Sequence, residues 1–497
     1  MRTHEILDIV AGSFPERRLI SDQEGDVTAE ALLTAATRLG ALAQQAGAEH
    51  LVFIGENSRA VQISLFGASI AGVPFVPLNY RLADDRLLSV LGRTTPALAV
   101  VDDAMIDRLG SPDGVTLLAT SKLEAALAAA PEVVIPEDPS TTAVLLFTSG
   151  TTGDPKAAVL AHENLSSYVL MTVEFGAAAE DDAALVSVPP YHIAGVSACL
   201  SAAFSGRRSV YLPAFEPAAW VDSIHEHNVT QAMVVPTMMA RVLDELETRD
   251  HQLPSLRLLA YGGGPMPRPV IERAMEALPH VGFVNAYGLT ETASTISILG
   301  PDDHREAAAS SDPQIARRLS SVGQPLPTVE LSIRDEAGVE VAPGERGEVW
   351  VRGEQVSGKY IGMDHTDHGW FPTRDSAEMD EHGYLYLFGR LDDVIVRGGE
   401  NLSPGEIEAV LNAHPAVDDS AVVGLPDEQW GECIAAAVVL ARDEDVEVAA
   451  LQEHVRAQLR STQTPEKIAF RKELPANETG KILRRVLRQE LAEEFGL

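Results

Sequence analysis

The stretch from Phe147 to Lys156, Phe-Thr-Ser-Gly-Thr-Thr-Gly-Asp-Pro-Lys, has the composition of a phosphate-binding loop. With little side-chain bulk, such a loop can approach a ligand closely, and its N–H groups and hydroxyls can converge on phosphate oxygens. Lys156 adds a positive charge. An apolar run over 143–147 predicts a strand that leads into the loop, which lacks the Gly-x-x-x-x-Gly-Lys-Ser/Thr pattern of common NTPases. The hydroxyl-bearing and glycine residues are Thr148, Ser149, Gly150, Thr151, Thr152 and Gly153.

Residues 285–292, Asn-Ala-Tyr-Gly-Leu-Thr-Glu-Thr, hold a second group of polar side chains after an apolar run. Thr290 could donate to a phosphate, and Glu291 could hold Mg²⁺ through a hard oxygen ligand. An ordinary strand–turn–helix, with Thr290 as N-cap and Glu291 in the first turn, explains the same residues equally well.

Two further motifs follow predicted strands. Residues 261–265, Tyr-Gly-Gly-Gly-Pro, would let a flat base lie against bare backbone, although the same letters also suit a plain loop. Residues 189–195 place Tyr191 and His192 at the end of another strand. With no second His or Cys at ligand spacing, a metal site at His192 is rejected.

Three motifs in the last third of the chain are weak when taken singly. Asp375 and the segment 389–392, Gly-Arg-Leu-Asp, offer a carboxylate that could accept from both ribose hydroxyls. Residues 398–408 combine a glycine pair with Ser403, Pro404 and Glu406, a signature of helix capping. The glycine pair itself suggests a narrow passage, and residues 477–481 end on a lysine before the last predicted helix.

Composition limits the class of protein. The chain has 497 residues, 45% of them hydrophobic, so it can bury large cores in two to four folding units. Its net charge of −35 argues against partners such as nucleic acid or an anionic membrane surface. With no run of 18 apolar residues, no signal-peptide core and only two cysteines, we expect no membrane span and a cytoplasmic location.

Strand and helix patterns divide the chain. From about 52 to 283, strand-like runs alternate with helical patterns, which predicts α/β architecture with mostly parallel sheets. Short alternating strands over 321–360 predict a small β-barrel-like unit, and mixed elements after 390 predict a small α+β domain. The predicted division is a large body over residues 1–388, a hinge at 389–392 and a small C-terminal domain over 393–497.

In this order and spacing, the motifs resemble the adenylate-forming superfamily over residues 30 to 490. The loop over 148–156 and the Gly-Arg-x-Asp hinge with its downstream Gly-Lys are specific together, and residues 397–408 and 423–431 are similar to the acyl-CoA synthetase branch. The resemblance implies an acid–thiol ligase that forms an acyl adenylate from a carboxylic acid and ATP with Mg²⁺, and then a thioester with CoA. It also implies a mobile small domain that alternates between two arrangements.

The resemblance implies roles for the motif residues. The loop and Lys156 would hold the β- and γ-phosphates, the segment around Gly263 would frame the adenine, and Asp375 would hold the ribose. The implied ATP-binding residues are Thr148, Ser149, Gly150, Thr151, Thr152, Gly153, Lys156, Gly263, Gly264, Tyr287, Asp375 and Arg390.

The implied catalytic residues are four. Lys481 bridges the substrate carboxylate and the α-phosphate, Thr290 touches the α-phosphate, and Glu291 holds the Mg²⁺. His192 borders the acyl pocket and gates the thiol route. The remaining implied positions are Tyr191, Met238, Gly262 and Leu289 in the acyl pocket, Asp392 as the hinge, and Gly398 and Gly399 along the CoA passage.

Two positions depart from the family pattern. Ala157 follows Lys156 where glycine is usual, and Arg374 precedes Asp375 where the family has Gly. If that position has a positive φ, Arg374 costs roughly 1 kcal/mol or more of strain. A passive, merely tolerated Arg374 is favoured over one recruited to a ligand.

Alternatives remain for the acceptor and the acid. An adenylate ligase that loads a carrier protein and a non-catalytic nucleotide-binding relative are the rivals, and a homodimer is kept open. The lining segments expected for the acid, 191–197, 234–239, 261–264 and 286–295, contain no Arg or Lys. A second carboxylate would therefore be left unpaired at a cost of several kcal/mol, so an apolar monocarboxylic acid (medium-chain, alicyclic or aromatic) is expected.

Overall fold

The structure is a computed structural model of the chain, and it describes residues 1–148, 156–249, 252–398, 400–427, 429–442, 444–477 and 482–497. Among these residues, none of the helices has the length and apolar character needed to cross a membrane.

The strands, in chain order, are β1 (Arg18–Asp22), β2 (Gly25–Thr28), β3 (His50–Ile54), β4 (Phe75–Pro77), β5 (Ala97–Val101), β6 (Val115–Ala119), β7 (Thr142–Thr148), β8 (Lys156–Ala161), β9 (Ala183–Val186), β10 (Arg208–Tyr211), β11 (Gln231–Val234), β12 (Leu258–Gly262), β13 (Gly282–Leu289), β14 (Ser294–Leu299), β15 (Gln324–Pro325), β16 (Val329–Arg334), β17 (Arg346–Gly353), β18 (Lys359–Tyr360), β19 (Met363–Asp364), β20 (Phe371–Met379), β21 (Leu385–Arg390), β22 (Ile395–Arg397), β23 (Glu400–Leu402), β24 (Val417–Asp427), β25 (Gly431–Leu440) and β26 (Lys467–Arg471).

The α-helices are α1 (Thr3–Ser13), α2 (Ala29–Gln45), α3 (Arg59–Ala71), α4 (Asp84–Gly92), α5 (Asp103–Leu109), α6 (Leu123–Ala128), α7 (His162–Thr172), α8 (Ile193–Ser205), α9 (Pro217–Glu226), α10 (Pro236–Arg249), α11 (Arg268–Ala277), α12 (Pro301–Ala309), α13 (Pro313–Ala316), α14 (Pro404–Asn412), α15 (Val448–Gln458) and α16 (Arg484–Glu494).

Two large sheets form the body. The eight-stranded sheet has the order β19-β18-β8-β7-β4-β3-β5-β6, and the nine-stranded sheet has the order β15-β14-β13-β12-β11-β9-β10-β1-β2. Strands β7-β4-β3-β5-β6 and β13-β12-β11-β9-β10-β1 run parallel, while the edges are antiparallel. The expectation of α/β architecture is confirmed, and the antiparallel edges are a feature that the alternating pattern did not reveal.

One apolar core lies between these sheets. Helices α2 and α3 cross closely within it, since a Cβ at Gly40 would lie 3.0 Å from the carbonyl oxygen of Gly67. Residues of both sheets, such as Phe53 of β3 and Ile20 of β1, are fully buried in the same cluster. Burying aliphatic and aromatic side chains from two sheets and their helices at once supplies the main driving force for a single rigid body.

The β-rich unit is a four-stranded antiparallel sheet, in the order β16-β17-β20-β21. The sequence predicted this unit over 321–360, but the sheet begins at Val329 and extends to Arg390, because β15 joins the nine-stranded sheet and β20 and β21 complete the unit. Strands β18 and β19 leave this unit and join the eight-stranded sheet, where Tyr360 pairs with Ala158 of β8. This strand pairing brings Tyr360 close to the start of β8.

After Arg390 the chain enters separate sheets. A 3₁₀ turn over Leu391–Asp393 leads to the pair β22-β23 and to the three-stranded sheet β24-β25-β26, against which α14, α15 and α16 contribute apolar residues. The capping box expected at Ser403 and Glu406 is wrong in its contacts. Ser403 is the N-cap residue and Pro404 follows it, but the Ser403 hydroxyl donates to the carbonyl of Phe388 instead.

Candidate functional site

The loop expected to hold phosphate lies between two antiparallel strands. Strand β7 ends at Thr148 and β8 begins at Lys156, and these two residues are paired in register. The Thr148 hydroxyl donates to the carbonyl of Lys156 over 3.3 Å. Ser149, Gly150, Thr151, Thr152 and Gly153 lie outside the described residues, so their part in the loop stays a prediction.

Glu291 is held by a partner that the sequence did not indicate. The strand β13 ends at Leu289, and Thr290–Thr292 form one 3₁₀ turn rather than the start of an α-helix. The Tyr360 hydroxyl donates to the Glu291 carboxylate, and the backbone carbonyl of Glu291 accepts from Ser357 over 2.8 Å. The turn therefore orients this carboxylate towards Tyr360, whose strand β18 pairs with β8.

A second tyrosine–carboxylate pair lies beside the first. Tyr287 donates to one oxygen of Asp375 over 2.6 Å, and Arg390 donates to the other over 3.2 Å. Asp375 is only 8% exposed, and its backbone N–H donates to the hydroxyl of Thr373 over 3.1 Å. Each carboxylate oxygen can accept more than one hydrogen bond, so Asp375 is oriented to receive a ligand hydroxyl as well.

Burial controls the protonation of these groups. Burial first, and then the neighbouring carboxylates Glu291 and Asp375, raises the pKa of Tyr360 and Tyr287 respectively. Both phenols therefore stay protonated as donors at neutral pH. Burial alone would lower the pKa of Arg390, but the charges of Asp375 and Asp392 raise it, so its guanidinium remains a cation.

The glycine motif is partly explained by the sheet. A Cβ at Gly262 would lie 2.3 Å from the carbonyl oxygen of Ala286, so the close pairing of β12 with β13 excludes any side chain there. Gly263 has φ +80°, while a Cβ at Gly264 would meet nothing nearer than 3.9 Å. The assignment of Gly262 to the acyl pocket stays a prediction, because packing alone accounts for that glycine.

The strand before this motif is anchored by a buried histidine. The hydroxyl of Tyr261 and Nε2 of His304 lie 2.8 Å apart, and Nδ1 of His304 lies 2.7 Å from the carbonyl oxygen of Gly300. Burial lowers the pKa of His304, so the ring is neutral. Since a carbonyl can only accept, Nδ1 donates to Gly300 and Nε2 accepts from Tyr261.

The residues expected around the acid lie at the ends of strands of the nine-stranded sheet or just after them. Tyr191 is buried, its ring lies 4.8 Å from that of His192, and His192 is the N-cap residue of α8. Met238, on the first turn of α10, lines a cavity of about 680 Å³. Leu289 packs against the apolar cluster of the β-rich unit, and its assignment to the acyl pocket stays a prediction.

That cavity lies between the body and the small domain. Arg81 and Arg241 border it from the body, whereas Glu473 and Glu490 border it from the small domain. The segments that the sequence predicted to line the acid pocket include neither arginine, because both arginines lie outside the segments that carry motifs. Among the described lining residues, the two positive charges of the arginines and the two negative charges of the glutamates cancel.

The hinge residue Asp392 is ion-paired. Its carboxylate accepts from Arg374 over 2.9 Å, and Arg374 has φ +64°. The positive φ expected at this position is therefore present, with a non-glycine residue in it. Gly398 has φ +59° and a Cβ there would lie 2.9 Å from the ring of Trp430, so packing within the small domain also requires this glycine. Gly399 and Lys481 lie outside the described residues.

Tyr360 and Arg374 are the residues that sequence reasoning missed as partners. Tyr360 lies in a two-residue strand, 69 positions from Glu291, and no local pattern marks it. Arg374 was noticed as a departure, but its contact with Asp392 depends on how β20 meets the connecting turn.

The described residues suit a magnesium ion that arrives with phosphates. Mg²⁺ is usually bound by one or two carboxylates together with substrate phosphates and water. Glu291, in contact with Tyr360, supplies one such carboxylate, and among the described residues no cluster of three His, Cys, Asp or Glu side chains could hold a metal alone. Residues that bind ATP and Mg²⁺ together, rather than a resident metal, fit this arrangement.

Comparisons with known proteins agree with this architecture. Residues 7–361 match the family described as AMP-binding enzyme, and residues 406–481 match the AMP-binding enzyme C-terminal domain. The feruloyl-CoA synthase of Amycolatopsis sp is 31% identical, over 89% of this chain and 88% of the relative. The fatty acid–[acyl-carrier-protein] ligase ScoC of Streptomyces coeruleorubidus is 32% identical, over 88% and 86%.

Solved structures share the same fold. The o-succinylbenzoate CoA synthetase (MenE) of Bacillus subtilis, in complex with the acyl-adenylate OSB-AMP, superposes with a TM-score of 0.83 at 28% identity, over 97% of each chain. Another structure of that synthetase, with the same TM-score, contains ATP and a magnesium ion.

The chain has two sheets with parallel central strands, a β-rich unit and a separate α+β domain. This is the architecture of adenylate-forming enzymes. The chain belongs to the AMP-binding enzymes, in the acyl-CoA synthetase branch of the adenylate-forming superfamily. It is an enzyme of the acid–thiol ligase class.

Proposed function

We propose that this ligase activates an apolar monocarboxylic acid with ATP and transfers the acyl group to CoA, releasing AMP and pyrophosphate. The observation that carries the proposal is the pair of oriented carboxylates, Glu291 held by Tyr360 and Asp375 held by Tyr287 and Arg390, beside the strands that flank the phosphate loop. The medium-chain, alicyclic and aromatic acids are the expected substrates.

In the first step, a carboxylate oxygen of the acid attacks the α-phosphorus of ATP, and the bond to pyrophosphate breaks. Negative charge gathers between the carboxylate and the phosphate, so preorganised donors and cations lower the barrier. Thr148, Ser149, Gly150, Thr151, Thr152, Gly153 and Lys156 hold the outer phosphates in this proposal. Thr290 and Lys481 act at the α-phosphate, and Mg²⁺ held by Glu291 neutralises phosphate charge.

The nucleoside is held by the second carboxylate. Asp375 accepts from the ribose hydroxyls, while Arg390 donates to one of its carboxylate oxygens and keeps the carboxylate oriented. Tyr287, Gly263 and Gly264 border the base. Because both oxygens of Asp375 are already fixed by donors, little ordering remains to be done when ATP binds.

In the second step, the thiol of CoA attacks the acyl carbon and AMP leaves. Tyr191, Met238, Gly262 and Leu289 are assigned to the acyl pocket, and His192 gates the thiol route. Gly398 and Gly399 line the thiol passage after the small domain rotates about Asp392. The separate sheets on either side of Leu391–Asp393 support the division into residues 1–388, 389–392 and 393–497, which stays a proposal.

The charge balance of the cavity supports an apolar acid. Among the described residues that line the cavity beside Met238, two arginines, Arg81 and Arg241, are balanced by two glutamates, Glu473 and Glu490, so these side chains together add no net positive charge for a second carboxylate. A relative of similar length is named for an aromatic acyl group, and another for a fatty acid. A cytoplasmic location and a homodimer are also kept as proposals.

ATP–pyrophosphate exchange with a panel of acids tests the substrate class. Octanoate and benzoate-type acids are expected to support exchange, and malonate and succinate to give little. Robust exchange with the dicarboxylates and none with the apolar acids would overturn the proposed specificity but not the ligase class.

Two variants test the division between the steps. Lys481→Ala is expected to lose adenylate formation by ~10²-fold or more, the scale of one preorganised electrostatic group, while still converting supplied acyl adenylate and CoA to thioester. Gly399→Leu is expected to keep pyrophosphate exchange and lose thioester formation. Equal loss of both steps in both folded variants would contradict the proposed roles.

The second candidate acceptor is the phosphopantetheine of a carrier protein. The similarity to a fatty acid–[acyl-carrier-protein] ligase favours this candidate. Parallel assays with CoA and with a carrier protein that bears its phosphopantetheine arm, at equal thiol concentration, separate the two acceptors. A kcat/KM at least tenfold higher with CoA is expected, and the reverse ratio would assign the chain to carrier loading.

A further inference from the structure

Two ion pairs hold the connection between the body and the small domain. In one the body supplies the carboxylate, and in the other it supplies the cation. The chain leaves the body at Arg390 and crosses through the turn Leu391–Asp393. Strand β20 of the body contacts both ends of this crossing. Asp375 pairs with Arg390, and its neighbour Arg374 pairs with Asp392.

Arg374 is anchored to the body on its other side. Its backbone N–H donates to Glu348 over 3.0 Å, and its guanidinium lies 3.8 Å from the same carboxylate. Glu348, on β17, is itself fixed by the indole N–H of Trp350 over 3.2 Å. The body thus presents the Arg374 guanidinium at a fixed place, whereas Asp392 moves with any change in the backbone of the connecting turn.

The backbone at Arg374 is unfavourable for its side chain. Its φ of +64° is a region that non-glycine residues rarely adopt, and glycine would occupy it without strain. Thr373 and Asp375 on either side are buried, while Arg374 is exposed. A strained backbone that carries a long cation directly onto the crossing turn points to a role for the side chain in that contact.

We propose that Arg374 is a positioning residue that holds Asp392 and thereby favours the docked arrangement of the small domain, in which residues 473–477 close the cavity beside Met238. A rotation within Leu391–Asp393 must separate the carboxylate of Asp392 from the guanidinium. The pair therefore stabilises one of the two arrangements selectively. This inference rests on the proposed two-step function in one respect, the expected change in the rates of the two half-reactions.

The size of the effect follows from the exposure of the pair. The Arg374 and Asp392 side chains are 51% and 40% exposed, so solvent screens their attraction. An exposed ion pair present in one arrangement alone shifts the equilibrium between two arrangements by about twofold to fivefold. Such a shift slows adenylate formation, the step that needs the docked arrangement in this proposal. It leaves thioester formation unchanged or faster.

Three substitutions separate charge from backbone strain. Arg374→Asn removes the charge but tolerates a positive φ, Arg374→Gly removes both the charge and the strain, and Arg374→Lys keeps the charge. Arg305→Asn is the matched control, because Arg305 is an exposed arginine paired with Asp302 within one helix of the body.

The first measurement is the distance between the two domains without any ligand. Fluorescence energy transfer between dyes on Glu336→Cys and Asp445→Cys reports the docked fraction, since both positions are exposed and both native cysteines are buried. Arg374→Asn and Arg374→Gly are expected to lower the docked-to-undocked ratio about twofold to fivefold. Arg374→Lys should restore most of it, and Arg305→Asn should not change it.

The second measurement is the ratio of the two half-reactions. The Asn and Gly variants are expected to slow pyrophosphate exchange by the factor by which the docked fraction falls, at most twofold to fivefold, with thioester formation from supplied acyl adenylate unchanged or faster. Adding Arg374→Asn to Asp392→Asn should have no further effect, because the partner is already lost. High salt should reduce the difference between wild type and variants.

The outcomes distinguish failure of this inference from failure of the proposed function. A docked fraction and a half-reaction ratio that are the same in Arg374→Asn and wild type would overturn the role of Arg374. That role is also overturned if Arg305→Asn has an equal effect, or if wild type shows no docked population. If no acid supports exchange in wild type, the proposed function fails, and the distance measurement alone still decides the inference.

Discussion

At the scale of single residues, the site depends on two phenols that each donate to a carboxylate. Tyr360 donates to Glu291 and Tyr287 donates to Asp375, and burial keeps both phenols protonated. A hydrogen bond to an ionised acceptor is about twice as strong as one between neutral groups. These tyrosines orient the two carboxylates without adding negative charge where phosphates would bind.

Removing the hydroxyl of Tyr360 tests this orientation. Tyr360→Phe leaves the ring in place and deprives Glu291 of its donor, so pyrophosphate exchange is expected to fall about tenfold or more at limiting Mg²⁺–ATP. Saturating Mg²⁺ should recover part of the loss, because the carboxylate is displaced rather than removed. The measurement is exchange rate against Mg²⁺ concentration.

Tyr384→Phe is the matched control for this prediction. Tyr384 donates to Asp303 over 2.6 Å, and burial and that hydrogen bond raise its pKa to about 12. The substitution removes a similar phenol–carboxylate pair outside the site, so exchange should be nearly unchanged. Equal losses in the two variants would show that the Tyr360 contact has no special role.

At the scale of secondary-structure elements, several motif residues serve the fold as well as the proposed chemistry. Gly262 is required by the approach of β12 to β13, and Gly398 by the ring of Trp430. Ser403 joins α14 to β21 through the carbonyl of Phe388 rather than capping its own helix. A sequence motif therefore marks a constrained position without saying whether a ligand or a neighbouring strand imposes the constraint.

Strand β24 carries a half-buried carboxyl, Asp419, from which we expect the stability of the small domain to depend on pH. Burial, and then the charges of Glu408 and Asp418, raises the pKa of Asp419 to about 6, although the backbone N–H of Ser420 donates to it. The pKa of an unfolded Asp is about 3.9. Because the folded pKa is the higher one, stability that is fully present below about pH 4 is lost as the pH rises through 6.

Asp419→Asn is expected to raise the free energy of unfolding of the small domain at pH 8 by roughly 1–2 kcal/mol, and to change it little at pH 4. Two units of pKa would correspond to about 2.7 kcal/mol, and partial exposure reduces that value. Denaturant unfolding at the two pH values measures the effect, with the exposed Asp113→Asn as control. Equal effects at both pH values would contradict it.

At the scale of the whole molecule, described side chains of the body and of the small domain meet beside the crossing turn. Arg346 of β17 pairs with Glu406 of α14 over 3.1 Å, and its guanidinium lies 3.8 Å from the centre of the Phe388 ring. The hydroxyl of Ser403 bonds to Phe388 beside them. An ion pair, a cation–ring contact and one hydrogen bond suit the proposed opening and closing of this interface.

Charge reversal across this interface tests its contribution. Arg346→Glu places like charges together and is expected to slow pyrophosphate exchange several-fold, with little change in the thermal stability of the body. Adding Glu406→Arg should restore much of the rate by recreating an opposite pair. If the double variant is slower than the single, the two side chains do not act through each other.

The sequence by itself determined the elements and the family. Strands and helices alternate over the first part of the chain as the apolar patterns predicted, and β7 leads into the loop as the apolar run predicted. These features depend on residues close together in the chain, so short-range patterns are enough to predict them. The same holds for the family, because its motifs are short segments in a constant order.

Only the tertiary structure decided which residues meet. Tyr360 reaches Glu291 because β18 leaves the β-rich unit and pairs with β8, and Arg374 reaches Asp392 because β20 contacts the crossing turn. Arg81 and Arg241 reach the cavity beside Met238 in the same way. Each contact joins segments far apart in sequence, and such pairing follows from sheet order and packing of the whole chain, which no local pattern of residues records.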